Sequence, residues 1–377
     1  MVSTAKLSDL QSVLPVLGNI NQKTPAAYQL TWQVIDLSNF MQLELARAYI
    51  DGLELPDFAI KQLCDGFLSL CYGYFPCFLV PYDWVLKESE ALAVDPQVVM
   101  KIQYNLPETL FTTMLEADKL IHPKYSMALW EKGATTLRQA QQAMLEDLIV
   151  KADIQEGQSI LDLGCGWGSA VNYLLAKFSN VKVTGLNLSQ AQCAYIRRQM
   201  RSPHSHLNSG RFELVEADFN EVTFPKPFDR VISLGFFEHV ANLAKAFAKV
   251  AQFMTADGQF FLHIITTRLP HNIWDPIIDR YIFPKARVWQ YDAVPHCDRD
   301  LQTRKQWYLN GQNYAKTLKW WLKNFDRKGS KLEGLDYGIE FAKFRRLWRL
   351  YLLLCISHFE RQDGQLLGNG QYLLIRK

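Results

Sequence analysis

A short apolar run followed by three glycines at alternate positions constrains the fold of this chain more than any other segment. Residues 159–163 read Ser-Ile-Leu-Asp-Leu, and Gly164, Gly166 and Gly168 follow at once. The run is typical of a buried strand, and glycine allows positive φ and close approach of a ligand to the backbone. A helix starting near Ser169 would direct free N–H groups towards an anion such as a carboxylate. The segment therefore predicts the first strand–turn–helix unit of an α/β domain, with a site for a nucleotide-like cofactor.

Strands and helices alternate after this turn. We predict strands at 159–163, 181–186, 212–216, 230–234 and 260–265, the last after a turn at 256–258, with helices at 169–178, 189–200 and 243–254. Short strands that are apolar throughout are typical of a parallel sheet covered by helices on both faces. A last strand at 371–375 follows two amphipathic helices, and we expect it to be antiparallel. The expected fold class is α/β, with a Rossmann-like, doubly wound, mostly parallel sheet.

Two further segments complete the predicted organisation. Residues 1–100 combine helical apolar spacing from 25 to 71 with many aromatic residues from 72 to 98, which predicts an N-terminal helical extension. Its aromatic residues fit a core between helices, an apolar substrate wall or a partner surface. Residues 101–377 would form the second domain, with a helical cap inserted after the fifth strand at about 267–335. An insertion there would lie at the sheet edge where open α/β sheets bind ligands.

Composition narrows the class of protein. Hydrophobic residues make up 49% of the 377 residues and charged residues 21%, which indicates a globular chain. The net charge of +3 is too small on its own to indicate nucleic-acid binding, and we expect none. Residues 301–377 hold 15 Lys and Arg against 6 Asp and Glu. This basic part could meet an acidic substrate or an anionic membrane face, or it could be a solvated surface.

Seven scattered cysteines, with no C-x-x-C pair, favour free thiols in a reducing compartment over disulfides or a zinc site. The sequence shows no secretory leader pattern and no run of about 20 apolar residues that would span a bilayer. We therefore expect a cytoplasmic protein without a metal site, with peripheral contact to the inner membrane face as one option. The oligomeric state stays open, and a homodimer is one option.

The type of cofactor can be narrowed from the end of the second strand. A dinucleotide site is expected to read G-x-G-x-x-G and to have an acidic residue at that strand end. Here the spacing is G-x-G-x-G, and the strand is followed by Asn187. A nicotinamide enzyme is therefore disfavoured. A cofactor-binding protein without catalysis remains a separate alternative.

Five blocks stand in order over roughly residues 100–377. They read Tyr-Ser-Met-Ala-Leu-Trp at 125–130, Leu-Asp-Leu-Gly-Cys-Gly-Trp-Gly at 161–168, Phe-Glu-His-Val at 237–240, Tyr-Ile-Phe-Pro at 281–284 and Gly-Gln-Asn-Tyr-Ala-Lys-Thr-Leu at 311–318. They resemble the motifs Y-S-C-x-Y-W, L-D-[IL]-G-C-G-W-G, F-E-H-V, Y-I-F-P and G-x-x-Y-x-x-T-L of the cyclopropane fatty acid synthase and coclaurine N-methyltransferase group. The resemblance implies a class I S-adenosylmethionine-dependent methyltransferase.

The same resemblance implies a set of cofactor contacts. It consists of Tyr125, Ser126, Gly164 and Gly166 at the amino-acid end, Asn187 and Gln192 at the ribose, and Asp218 and Phe219 at the adenine, together with Asp162 and Gly168. Asp218 lies just after the third predicted strand, at the edge of the sheet where ligands bind. A loop cap and a core aromatic residue are the alternative interpretation of Asp218 and Phe219.

The resemblance also implies the chemistry. In a cyclopropane synthase an alkene takes the methyl group and becomes a carbocation, and a bound bicarbonate then removes a proton from the transferred methyl. Backbone groups near Met127 and Ile265 would help to hold the bicarbonate. An N-methyltransferase would use the Glu-His pair of the F-E-H-V block to orient and deprotonate an amine. The implied catalytic residues are Glu238, His263 and Tyr314, which would hold the bicarbonate, and His239.

Departures from the motifs leave two substrate classes open. Met127 stands where the group usually has Cys, and residues 307–311 look more like the N-methyltransferase branch. The blocks at 281–284 and 370–372 look more like the lipid branch. We favour methyl or methylene transfer to the double bond of an unsaturated acyl chain of a phospholipid. The alternative is N-methylation of a small aromatic or alkyl amine.

Overall fold

One eight-stranded sheet connects the elements of the computed structural model, which describes residues 26–74, 100–269, 275–297 and 299–377. Its strands are β1 Ser159–Leu163, β2 Lys182–Asn187, β3 Phe212–Glu216, β4 Phe228–Leu234, β5 Met254–Thr267, β6 Trp289–Gln290, β7 Leu301–Leu309 and β8 Leu367–Arg376. Their order is β3-β2-β1-β4-β5-β8-β7, with β6 paired to β5. Strands β1 to β6 pair in parallel, and β8 is antiparallel to β5 and β7. The predicted fold class is confirmed.

Helices cover the sheet. They are α1 Ala26–Asp51, α2 Asp57–Tyr74, α3 Glu108–Met114, α4 Leu137–Lys151, α5 Ser169–Lys177, α6 Gln190–Gln199, α7 Leu243–Gln252, α8 Pro276–Tyr281, α9 Ala293–His296, α10 Gln312–Arg327 and α11 Phe341–Glu360. Side-chain caps precede α4, α6, α7 and α8. The side chain of Thr136 accepts from the Gln139 N–H in a capping box before α4, and Ser189 accepts from the Gln192 N–H before α6.

The core lies on both faces of the sheet. Along β5, Phe260 belongs to one apolar cluster and Phe261 to the other, and neither side chain is exposed. Alternate residues of a strand point to opposite faces, so a strand that is covered twice is apolar at every position. Burying one such phenylalanine contributes about 1.5–3 kcal/mol. The strand order reverses between β1 and β4, and this switch point places the ligand crevice at their carboxyl ends.

The predictions for the fifth strand and the segment after it have different outcomes. The chain turns at 256–258 as predicted, inside the range Met254–Thr267 of β5: a Cβ at Gly258 would lie 3.0 Å from the Cβ of Met254, and the pairing with β4 passes from Phe228–Met254 to Arg230–Gln259. The predicted helical cap at 267–335 contains helices α8, α9 and α10, but it also supplies β6 and the edge strand β7. Strand β7 carries the polar, exposed Arg304 and Lys305. Charged side chains are common on edge strands, where one side is open to water, so an apolar pattern does not detect them.

The N-terminal extension is helical where the structure describes it. Helices α1 and α2 pack on α11 through an apolar cluster that includes Ala46, Ile60 and Leu354. Most of the aromatic-rich stretch predicted at 72–98 lies outside the described residues, and the division of the chain at residue 100 stays a prediction. Within the described ranges, no helix is both long enough and apolar enough to cross a bilayer.

Candidate active site

Two adjoining cavities lie at the carboxyl edge of the sheet. The first, the cofactor cavity, encloses about 1150 Å³, part of it open to solvent, and is lined by the ends of β1, β2 and β4. The second, the acceptor cavity, encloses about 1110 Å³ between the ends of β4 and β5 and helices α8, α10 and α11. Five residues line both cavities: Tyr104, Tyr125, Ser126, Gly235 and His239. Two ligands bound here would therefore meet at one shared wall.

The glycine turn adopts the conformation that the sequence requires. Gly164, Gly166 and Gly168 have φ angles of +77°, +56° and +78°. A side chain at Gly164 would place its Cβ 2.8 Å from the Cβ of Phe236. Gly164 and Gly166 line the cofactor cavity, whereas Gly168 does not and instead precedes α5 as its N-cap. The turn thus presents bare backbone to the cavity, as a bound cofactor would need.

Asp162 is a buried carboxyl group on the wall of the cofactor cavity. Its burial raises its pKa to about 7, and no cation of the described residues offsets this. A buried charge that lacks a partner is costly, so the site calls for a cationic ligand. S-adenosylmethionine carries both a sulfonium and an ammonium group. The bare glycine turn and the unpaired Asp162 therefore fit this cofactor.

Asn187 and Gln192 form the next part of the cofactor wall. The Asn187 side-chain amide donates to the Gly166 carbonyl at 2.8 Å and to Gln192 Oε1 at 3.1 Å. Asn187 Oδ1 accepts from the Ser189 N–H at 3.0 Å. One amide hydrogen of Asn187 thus holds the glycine turn, and the other holds Gln192. Gln192, the second predicted ribose contact, uses its amide oxygen here, so its amide hydrogens can donate to a ligand.

The predicted adenine residues also line the cofactor cavity. Asp218 Oδ1 accepts from the Asn220 N–H and from its side-chain amide, both at 2.8 Å. Phe219 is buried edge-to-face against Phe236, with ring centres 5.4 Å apart. Each residue thus serves the local structure and faces the cavity, and their contacts with adenine stay a prediction.

Glu238, His263 and Tyr314 line the acceptor cavity together. Glu238 Oε1 accepts from the Ile265 N–H at 2.8 Å, while its Oε2 is buried without a partner among the residues that the structure describes. Adjacent strands bring these groups together, since His263 lies opposite Leu234 in the β4–β5 pairing. The structure therefore assembles the three predicted side chains in one pocket.

Burial sets the charge state of these groups. Desolvation raises the pKa of Glu238 to about 7. Desolvation, with smaller contributions from the charges of Lys124 and Lys151, lowers the pKa of His263 to about 3. His263 is therefore neutral near pH 7. Its Nε2 lies 3.2 Å from Asn369 Nδ2, and its Nδ1 is buried with no partner in the described ranges.

His239 lies on the wall shared by both cavities. Its Nε2 is 2.8 Å from the hydroxyl of Tyr104, and burial lowers its pKa to about 4. Tyr104 belongs to a π-helical turn at Met100–Tyr104 and was not predicted as a site residue. No motif surrounds it, and its partner is 135 positions away in the sequence.

Three further site residues were missed. Tyr351 on α11 hydrogen-bonds the hydroxyl of Tyr125 at 3.0 Å, and Asn369 on β8 contacts His263. Lys124 lines the cofactor cavity beside Tyr125. Adjacency to the Tyr-Ser motif was the one signal that could have found Lys124. The other two lie on elements whose place beside the cavity depends on the tertiary fold.

The acceptor cavity is largely aromatic and apolar. Its aromatic lining consists of Tyr104, Tyr125, Phe283, Tyr314, Tyr351 and Phe359. The buried pair Asp275–His358, 3.0 Å apart, also lines it and joins the start of α8 to α11. Ring faces favour a cation, and the apolar area suits an acyl chain. Among the described residues, no group of three or more His, Cys, Asp or Glu could hold a metal ion.

Comparison with known protein sequences identifies the family. The family model described as mycolic acid cyclopropane synthetase matches residues 95–368. The chain is 29% identical to the cyclopropane-fatty-acyl-phospholipid synthase of Escherichia coli strain K12 over 271 residues, which cover 71% of this chain and 66% of that protein. It is 27% identical to (S)-coclaurine N-methyltransferase of Papaver somniferum over 346 residues, 86% of this chain and 97% of that protein. The chain thus spans about two thirds of the length of the bacterial relative.

Solved structures agree on the fold. A coclaurine N-methyltransferase bound to N-methylheliamine and SAH superposes with a TM-score of 0.79 at 23% identity, over 89% of this chain and 100% of that one. The cyclopropane synthase MmaA2 of Mycobacterium tuberculosis gives 0.62 at 26% identity, over 75% and 99%. Together with the bare glycine turn and the unpaired Asp162, these matches show that the chain belongs to the mycolic acid cyclopropane synthetase family and is an S-adenosylmethionine-dependent methyltransferase.

Proposed function

We propose that this enzyme transfers a methyl or methylene group to the double bond of an unsaturated acyl chain of a phospholipid, with bicarbonate as the base. One observation carries the proposal. Glu238, His263 and Tyr314 face a largely apolar and aromatic cavity that shares a wall with the cofactor cavity. Two of their polar atoms, Glu238 Oε2 and His263 Nδ1, are buried without a hydrogen-bond partner among the described residues. Buried polar atoms are normally hydrogen-bonded, so a small polar ligand is expected there.

Bicarbonate matches these groups in its hydrogen-bonding capacity. It carries one O–H and several acceptor oxygens. An ionised Glu238 would accept from it, and neutral His263 and the hydroxyl of Tyr314 would donate to it. The Ile265 N–H already donates to Glu238, and the Met127 carbonyl accepts from Lys124 at 2.5 Å. We therefore assign the bicarbonate mainly to the three side chains and leave the predicted backbone role to the Met127 N–H.

The exchange of Cys for Met at 127 is compatible with this proposal. The Met127 side chain packs in a small apolar cluster with Leu129, Met144 and Leu309. Packing in this cluster thus gives the Met127 side chain a structural role. The predicted role of this position was a backbone role, and a methionine leaves the backbone unchanged.

The chain's residues would divide the reaction between them. S-adenosylmethionine supplies an electrophilic methyl group when bound. The acceptor cavity would exclude water and hold the double bond against the shared wall. The ring faces of residues such as Tyr104 and Tyr125 would stabilise the positive charge that develops on the acyl chain. Glu238 and His263 would hold the base so that a proton leaves the transferred carbon as the ring closes.

Contact with a membrane would bring the lipid to the enzyme. Helix α10 turns Tyr314 and Leu318 towards the acceptor cavity, and its opposite side exposes Lys316, Lys319, Lys323 and Arg327. The Lys316 ammonium lies 4.4 Å from the ring centre of Trp130, and that of Lys323 lies 4.9 Å from that of Trp320. Basic side chains interleaved with tryptophan are typical of surfaces that dock on anionic lipid. This face supports peripheral contact with an anionic membrane.

Methyl-labelled S-adenosylmethionine and phospholipid vesicles test the proposal. With unsaturated acyl chains we expect label in the lipid, and turnover should fall when bicarbonate is removed from the buffer. Vesicles of the same headgroup with saturated chains are the control and should stay unlabelled. Label in an amine but not in unsaturated lipid would refute the proposal.

N-methylation of an amine is the second candidate. The observation that favours it is the His239–Tyr104 pair on the shared wall, where an acceptor nitrogen would meet the methyl group. A neutral His239 could take the proton from the amine. Amine methylation would require His239 but not His263, and it would be insensitive to bicarbonate. Comparing His239→Asn with His263→Asn in the two assays separates the candidates.

A further inference from the structure

Lys124 is a buried cation with no anionic partner in the part of the chain that the structure describes. Its side chain is 4% exposed and lines the cofactor cavity. Its ammonium donates to Ser126 Oγ at 2.8 Å, to the Met127 carbonyl at 2.5 Å and to the Ser126 carbonyl at 3.4 Å. All three acceptors are neutral, and no carboxylate of the described residues lies within ion-pair distance. Burial lowers the pKa of Lys124 to about 7.

Another lysine near the active site, Lys151, is surrounded differently. The Lys151 ammonium lies 2.7 Å from Asp147 Oδ2 and 5.1 Å from the ring centre of Trp307. Its charge is thus offset by a carboxylate and an aromatic face. Burying a charge without such compensation is costly, so an anionic ligand at the wall beside Lys124 would offset that cost.

The hydroxyl of Ser126 connects Lys124 to the cavity. Because Ser126 Oγ accepts from Lys124, its own hydrogen is directed to another acceptor. None is found among the residues that the structure describes, and Ser126 lines both cavities. The Lys124 charge polarises this hydroxyl and strengthens it as a donor. The wall therefore offers a charge-assisted donor for an anion.

We propose that Lys124 is a positioning residue that binds the carboxylate of S-adenosylmethionine through the hydroxyl of Ser126. The carboxylate is the one anionic group of the cofactor. Lys124 lines the cofactor cavity and not the acceptor cavity, so the cofactor carboxylate fits its position better than an oxyanion beside Glu238 does. The positive charges of the cofactor would face Asp162 and its carboxylate would face Lys124. The proposal depends on the cofactor alone and not on the acceptor.

Calorimetry with two ligands tests it. S-adenosylmethionine carries the carboxylate, and decarboxylated S-adenosylmethionine keeps the sulfonium but lacks it. For Lys124→Met we expect S-adenosylmethionine to bind at least roughly tenfold more weakly, since the charge that strengthens the Ser126 hydrogen bond to its carboxylate is lost. The affinity for the decarboxylated ligand should stay within about twofold. Lys151→Met is the matched control and should leave the preference between the two ligands unchanged.

Ser126→Ala keeps the test decisive if Lys124→Met does not fold. It should weaken S-adenosylmethionine and spare the decarboxylated ligand, and in the double variant the two losses should not add. Equal weakening of both ligands in either variant would show a merely structural role and overturn the proposal. Unchanged affinity for both, with altered dependence of turnover on bicarbonate, would reassign the charge to the acceptor cavity and also overturn it.

Discussion

The two cavities share a wall but are built in different ways. The cofactor cavity is assembled from the ends of parallel strands, each followed by a short turn, so its contacts are close in sequence. The Asn187–Gly166 hydrogen bond, for example, spans 21 positions. The acceptor cavity joins α8, α10, α11, β5 and β8 with the turn at Met100–Tyr104. Its Tyr125–Tyr351 hydrogen bond spans 226 positions.

This difference in construction implies a difference in function. The cofactor wall is fixed by backbone geometry and by hydrogen bonds within strand–turn–helix units. These features do not depend on which acceptor the enzyme uses. The acceptor wall is made of side chains from elements that come together only in the tertiary fold, so it can change while the cofactor wall stays the same. We expect substitutions on the two walls to separate cofactor affinity from turnover.

Glu238→Gln should give the largest separation. Glu238 lines the acceptor cavity and not the cofactor cavity. Glutamine cannot ionise, so it can neither hold the base nor deprotonate an amine. Turnover should fall by about 10²–10⁴, the usual contribution of a general acid or base. Steady-state kinetics measures this loss, and calorimetry should show cofactor affinity within about twofold of the wild type. Glu213→Gln, on the exposed side of β3, is the matched control. A parallel loss of cofactor affinity would show that the two walls are not separable.

Gly164→Ala should do the reverse and act on the cofactor wall. A methyl group there would meet Phe236 at 2.8 Å, and the φ of +77° is strained for any residue with a Cβ. We expect at least about tenfold weaker cofactor binding, together with a loss of stability of more than about 1–2 kcal/mol. Calorimetry and thermal unfolding measure the two effects.

Gly157→Ala separates the effect of backbone strain from the effect of a steric clash. Its φ of +82° is similar, but its nearest neighbour, Asn180 Nδ2, would be 3.9 Å away, and it lies outside the cofactor cavity. It should cost about 1–2 kcal/mol of stability and leave cofactor affinity unchanged. Equal loss of affinity in both variants would mean that global strain, and not the local turn, controls binding.

The contrast between the walls explains what could be predicted from sequence. Strand β1 and the turn at Gly164 were predicted because local spacing, glycine conformation and strand burial act within a few residues. Every predicted site residue except Gly168 lines one of the two cavities. Gly168 shares the alternate spacing but serves the start of α5, and spacing alone does not separate these two roles.

The acceptor wall could be predicted only in part. Glu238, His263 and Tyr314 were identified by family motifs, and the parallel strand order gave a physical reason for the first two to meet. Tyr104, Tyr351 and Asn369 carry no local pattern that marks them, because helix packing and the β5–β8 pairing decide where they lie. Strand β7 was missed because an edge strand does not need to be apolar.

The pH dependence of turnover should report the acceptor wall. The ionised carboxylate of Glu238 is the form that accepts a proton or a hydrogen bond, and burial raises its pKa to about 7. Turnover per acceptor at saturating cofactor should therefore rise with pH through about 7, and it should be about tenfold lower at one unit below that value. His239 and His263, with pKa values lowered to about 4 and about 3, stay neutral over this range. A rise centred below pH 5 would contradict the assignment to Glu238.

Lys323→Gln should give the smallest effect. It tests whether the side of the molecule that holds the acceptor cavity faces the membrane. Helix α10 lines the acceptor cavity on one side and carries the basic face on the other. Among the described residues, Lys323 interacts only with the ring face of Trp320. Removing one basic charge near an anionic surface should weaken vesicle binding about fivefold at low salt, and less at high salt. Co-sedimentation with anionic and zwitterionic vesicles measures this, with Lys182→Gln, exposed at the start of β2 in the cofactor half, as the control. If Lys182→Gln weakens binding as much as Lys323→Gln does, the attraction is a property of the whole surface. The proposed docking face on α10 would then be wrong.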